Sequence, residues 1–116
     1  MSDVTIYHNP RCSKSRKTLA LLQENGVSPT VVLYLEAAPG VQELTQLLVK
    51  LGITAGQLVR TGENAYQACG LGKDSDDAQI LAAMAAHPIL IERPIVVSGE
   101  RAVIGRPPEN ALQLIN

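Results

Sequence analysis

The sequence predicts an α/β domain built on a mixed four-stranded sheet flanked by helices, and three features of the element order lead there. The chain opens with a strand, a helix and a second strand, which implies two parallel strands joined by a right-handed crossover. A stretch of helical periodicity follows. Two short β-branched segments near the C-terminus, separated by a tight turn, then add an antiparallel hairpin.

Each element has its own signal. Val4-Thr5-Ile6-Tyr7 is β-branched and aromatic, as a strand requires, and His8-Asn9-Pro10-Arg11-Cys12 turns the chain through Asn-Pro. Ser13 to Asn25 reads as a helix with Leu19 and Leu22 inward and Gly26 as its stop. Thr30 to Leu35 is almost wholly apolar, which predicts a strand buried on both faces. After the Pro39-Gly40 break, Val41, Leu44, Leu47, Leu48 and Leu51 share one helical face, ended by Gly52. Thr54 caps a short helix ending near Arg60, whereas residues 61–73 carry no clear period. Ser75 or Asp76 caps a further helix through Ala86, ended by His87-Pro88. Ile95-Val96-Val97 and Arg101 to Ile104 pair through Ser98-Gly99-Glu100, and Arg106-Pro107-Pro108 leads into a last short helix carrying Ala111, Leu112 and Ile115. This order is the thioredoxin/glutaredoxin architecture with a helical insertion between its two halves.

Composition bounds the rest. The 116 residues suit a single domain, 1–116, and 46% are hydrophobic, so an aliphatic core is available although Trp and Phe are absent. A net charge of −1 gives no general attraction to nucleic acid. Yet Arg11, Lys14, Arg16 and Lys17, four of the ten basic residues, crowd around Cys12, which suggests a small anion as ligand. Two cysteines, Cys12 and Cys69, are too few for a secreted disulfide framework. No secretory signal pattern opens the chain, and its apolar runs are too short to span a membrane, so a cytoplasmic location is expected. Two Cys and two His show no paired zinc spacing, and no phosphate-cradling or dinucleotide fingerprint is present.

The chemistry concentrates at Cys12. It stands where a strand hands over to a helix, so the unpaired N–H groups of the first turn face its sulfur and the helix dipole favours negative charge there. The four cations nearby are expected to act in the same direction. A thiolate is the nucleophilic form, so Cys12 is expected to be reactive at neutral pH. The same amides can hold an oxyanion. The competing reading, a small apolar residue at a helix start, sits poorly with so polar a setting. In Cys12-Ser13-Lys14-Ser15, Ser15 fills the place of a second cysteine, which makes the site monothiol. A phosphatase-type loop needs Arg six positions after its cysteine, and Thr18 stands there instead. Cys69 reads as a structural or incidental thiol.

The segment Tyr7-His8-Asn9-Pro10-Arg11-Cys12-Ser13-Lys14-Ser15-Arg16 resembles the nucleophile segment of the glutaredoxin-coupled arsenate reductases. Val32-Leu33-Tyr34-Leu35-Glu36, the stretch from His87 to Val97, and Gly105-Arg106-Pro107-Pro108-Glu109 resemble further segments of that family in order, closest to its short YfgD-like branch. The resemblance implies Cys12 as nucleophile and Arg60, Arg93 and Arg106 as oxyanion-binding arginines. It also implies supporting parts for His8, Asn9, Ser15 and Pro94, the last in cis. Arsenate would be reduced to arsenite with glutathione as co-substrate, glutaredoxin as partner, and no metal or tightly bound cofactor. Two departures stand out: the chain ends at Asn116, short of the tail of longer members, and Ser13-Lys14 replaces their common Gly-Thr pair. Two other readings compete, another glutathione-linked monothiol oxidoreductase and an Spx-like regulator binding RNA polymerase. Spx-type proteins commonly carry a Cys-x-x-Cys switch, which Ser15 removes here.

Overall fold

The computed structural model describes residues 4–115. The chain forms two compact units, one from Met1–Ala37 with Arg93–Asn116 and the other from Ala38–Glu92.

The first unit carries the sheet: β1 (Val4–Tyr7), β2 (Thr30–Val32), β3 (Ile95–Ser98) and β4 (Arg101–Ile104), in spatial order β2-β1-β3-β4. β1 pairs parallel with β2 and antiparallel with β3, and β3 with β4 antiparallel, so the sheet is mixed as expected. Helix α1 (Ser13–Glu24) makes the crossover between β1 and β2, and a 3-10 helix over Pro108–Leu114 closes the chain. Val4 and Ile6 lie two apart on one face of β1, so both meet Leu22 of α1, Val96 of β3 and Ala111 and Leu114 of the last helix. A fully buried aliphatic side chain of this kind stabilises by about 1.5–3 kcal/mol. The hairpin turn is Gly99-Glu100, with Gly99 at φ +62°, a conformation glycine adopts at no steric cost.

The second strand corrects the sequence expectation. Pairing stops at Val32 rather than Leu35, and β2 is an edge strand instead of one buried on both faces. The carbonyl of Leu33 accepts from the amides of Glu36 and Ala37, both at 2.9 Å, which turns the chain out of the sheet. Tyr34 is buried, but Val31, Leu33 and Leu35 remain exposed at 42%, 36% and 38%.

The second unit holds α2 (Val41–Leu51), α3 (Ala55–Leu58), α4 (Asn64–Ala68) and α5 (Asp77–Ala86), followed by a 3-10 turn at Pro88–Leu90. Leu44, Leu47 and Leu48 of α2 are buried, while Val41 at the start of its stripe is exposed. Capping boxes start α3 at Thr54 with Gln57 and α5 at Asp76 with Gln79, so Asp76 and not Ser75 is the cap. α4 falls in the stretch without a readable period because it is one short turn that buries no residue. A bridge between Val59 and Ile91 ties the end of α3 to the segment before β3.

A tight crossing in the first unit joins the site-bearing segments. Thr18, fully buried in α1, donates to the carbonyls of Lys14 (2.8 Å) and Gly105 (3.3 Å), and Gly105 donates to Pro94 O at 2.9 Å. A Cβ on Gly105 would stand 2.6 Å from Thr18 Oγ1 and 2.9 Å from Pro94 Cγ. Gly105→Ala is therefore expected to destabilise the protein by about 1–3 kcal/mol in urea unfolding. Gly62→Ala, whose Cβ meets nothing within 4 Å, should leave the midpoint within ~0.5 kcal/mol. Equal midpoints for the two variants would contradict the close-packed crossing.

Candidate active site

The turn between β1 and α1 is fixed by its own hydrogen bonds. His8 N donates to Val32 O (2.8 Å), and Cys12 N to Asn9 O (3.0 Å). The side-chain oxygen of Asn9 accepts from Arg11 N at 3.0 Å, an Asx turn of the kind Asn favours before such a reversal. Arg16 reaches back from α1 to donate to Pro10 O at 2.8 Å.

Ser15 is the hub beneath the turn. It is fully buried, and its Oγ accepts from Asn9 N (3.0 Å) and lies 2.7 Å from His8 Nδ1. His8 is also buried, at 6% exposure. Its burial, and then the Arg16 charge, pull the imidazole pKa below the usual 6.5. We assign the neutral ring as acceptor of the Ser15 hydroxyl proton, which satisfies both buried groups. The structure thus sets His8 and Asn9 against Ser15, the residue that takes the place of a second cysteine.

Cys12 is half-buried at the N-cap of α1. Partial burial pushes its thiol pKa up, but the Ser15 amide, a hydrogen bond from the Arg93 side chain, the Lys14 amide and the Arg93 charge outweigh it, so the pKa falls below an ordinary thiol's. At the N-cap of α1 these first-turn amides favour the charged form of the sulfur. The expectation that the four neighbouring cations lower this pKa is corrected. The charge that acts on the sulfur is Arg93, while Arg11, Lys14, Arg16 and Lys17 are all exposed.

Arg93 precedes Pro94 in a cis peptide bond, and Arg106 precedes Pro107 in another. Arg106 Nη1 donates to Arg93 O at 3.3 Å, so the structure brings Cys12, Arg93, Pro94 and Arg106 into one neighbourhood. Arg60 belongs to the second unit. Its Nη1 donates to Glu92 at 2.6 Å and its Nε to Glu63 at 3.2 Å. Sequence reasoning missed Thr18 and Gly105 as the link between α1 and the Pro94 segment. It also missed Glu92, 32 positions from its arginine, whereas the spacing of Glu63 three residues after Arg60 was readable.

The fold and this site define a monothiol thioredoxin-like domain, with one activated cysteine at a helix entrance beside an arginine that leads into a cis proline. The chain belongs to the ArsC family, whose model matches residues 7–114. It is 46% identical over 114 residues to an arsenate reductase of Haemophilus influenzae, covering 97% of this chain and 98% of that protein. It is 50% identical to the uncharacterized protein YfgD of Escherichia coli K12, covering 97% and 96%. A solved arsenate reductase from Vibrio cholerae superposes with a TM-score of 0.94 at 48% identity, covering 97% of this chain and 98% of that one.

Ser15→Ala would strip a partner from both Asn9 N–H and His8 Nδ1, and a loss of about 1–3 kcal/mol in urea unfolding is expected. In the wild type, nitrogen NMR should show the His8 ring mostly neutral at pH 6.5, because its pKa is lowered from that value. A His8 ring mostly protonated at that pH would overturn the assignment.

Proposed function

We propose that this chain reduces arsenate to arsenite through the Cys12 thiolate, with glutathione as co-substrate and a glutaredoxin as protein reductant. The observation that carries this reading is the depressed thiol of Cys12 at a half-buried position, stabilised by helix amides and by Arg93. Family membership and the arsenate reductase relatives support it.

The chemistry follows from those groups. The Cys12 thiolate attacks the arsenic of arsenate, an arsenic–sulfur bond forms, and hydroxide leaves. Arg93 neutralises charge as two anions approach, and its planar donors suit a tetrahedral oxyanion. Arg106, held on the Arg93 carbonyl, supplies a second guanidinium of the same segment. Arg60 has an oxyanion-binding part only by the resemblance; within its own unit its guanidinium donates to Glu63 and Glu92. The thiol of glutathione then displaces a second oxygen as water. A glutaredoxin thiolate attacks the glutathione sulfur, a disulfide forms between them, and the electron pair of the broken sulfur–arsenic bond reduces arsenic(V) to arsenic(III). Water finally frees arsenite and restores the Cys12 thiol. Two electrons enter from the two thiols that end as the mixed disulfide, so no metal is required by the balance.

Purified protein with glutathione and glutaredoxin should produce arsenite from arsenate, and Cys12→Ser should not. Arg93→Gln should raise the KM for arsenate about 10- to 100-fold, the worth of a hydrogen bond to a charged group. It should also shift the pH–rate profile upward, since Arg93 favours the thiolate. Arsenite formation no faster than with Cys12→Ser would remove this reading.

A further inference from the structure

Two nitrogens of the turn after β1 keep a hydrogen-bonding capacity that the site as described does not use. His8 is bonded through Nδ1 to Ser15, and Asn9 through its side-chain oxygen to Arg11 N. The backbone donor on that oxygen fixes the Asn9 amide, so its other end is the Nδ2 donor. With Nδ1 accepting from Ser15, His8 carries its proton on Nε2. Neither Nε2 nor Nδ2 has a hydrogen-bond partner among the described residues. Both side chains are more than nine-tenths buried, at 6% and 4% exposure, yet neither nitrogen is sealed from solvent. Donors in so enclosed a setting call for water or a ligand to meet them.

Both residues line one groove of about 310 Å3, at the lower end of small-ligand sites, which run from about 300 to 1,000 Å3. The turn lines it with His8, Asn9 and Arg11, and the chain leaving β2 lines it with Leu33, Leu35 and Glu36. Arg11 and Glu36 are exposed, and among the described residues neither carries an ion pair, with each other included. These groups select a chemistry. His8 Nε2, Asn9 Nδ2 and the Arg11 guanidinium all donate, which suits a carboxylate. The Glu36 carboxylate repels a second anion and suits an ammonium. The two leucines suit an apolar body between them. Because Arg11 and Glu36 do not reach each other, the two charges of a ligand that meets both stand apart, at its two ends.

We propose that this groove binds a small zwitterion charged at its two ends, a short apolar peptide, with its carboxylate on His8, Asn9 and Arg11 and its ammonium on Glu36. The site goes beyond the proposed function. It needs neither arsenate nor the Cys12 sulfur, which is not among the groups lining the groove.

The probe is the dipeptide leucyl-leucine, titrated into the full chain and followed by nitrogen NMR. His8 Nε2 and the backbone amides of Arg11 and Glu36 should shift in a saturable way. Arg11→Gln and Glu36→Gln remove exposed side chains, so the fold is kept, and each should weaken binding about two- to fivefold, as for partly exposed ion pairs. Acetylating the ammonium of the peptide should weaken binding to the wild type by a similar factor and make no difference to Glu36→Gln. Amidating its carboxylate should weaken binding to the wild type at least as much, and to Arg11→Gln less. Lys17→Gln, which removes an exposed cation outside the groove, should bind as the wild type does. The absence of a saturable shift at these atoms would overturn the proposal. So would undiminished binding of the acetylated peptide, which would leave a site for simple carboxylates. An equal loss in Lys17→Gln would reduce the effect to overall charge and overturn it as well.

Discussion

The interaction on which the rest of the site depends is that between one sulfur and the groups that favour its charge. Burial alone would keep the Cys12 thiol protonated. The first-turn amides of α1 and the Arg93 guanidinium reverse that preference, and they come from segments some eighty residues apart in sequence. The fold exists, in this respect, to bring the start of α1 to the segment before β3.

Several features of the first unit serve that meeting. β1 and β3 are hydrogen-bonded neighbours, with Tyr7 opposite Ile95, so the turn after β1 and the Arg93-Pro94 segment emerge from the same end of the sheet. Thr18 and Gly105 fix α1 against the Pro94 segment at a separation that leaves no room for a methyl group. Below the turn, Ser15 holds His8 and Asn9 in place, so the residue that removes the second thiol also shapes the loop presenting the first. The hydroxyl thus has a structural reason to be there beyond being a serine where a dithiol site would carry cysteine.

Much of this was legible in the sequence, for identifiable reasons. Strands β1, β3 and β4 and helices α1, α2 and α5 were readable because period, caps and stops agreed with one another. Cys12 was readable because a turn followed by a helix places it at the helix entrance whatever the tertiary detail. The length and burial of β2 were not, since the apolar run Thr30–Leu35 has the same composition in a central strand as in an edge strand that turns away at Leu33. The source of the thiol's activation was only half legible. Proximity in sequence pointed to Arg11, Lys14, Arg16 and Lys17, whereas the cation that acts is Arg93, brought in by the tertiary fold. Likewise the buried pairing of Thr18 with Gly105 and the reach of Arg60 to Glu92 span separations at which no local pattern exists.

The central claim is most directly tested by titrating the ultraviolet absorbance of the Cys12 thiolate in the Cys69→Ser chain. The account predicts a midpoint below that of a free cysteine, moving upward in Arg93→Gln and unmoved in Arg11→Gln. A midpoint at or above that of free cysteine, or one indifferent to Arg93, would contradict it.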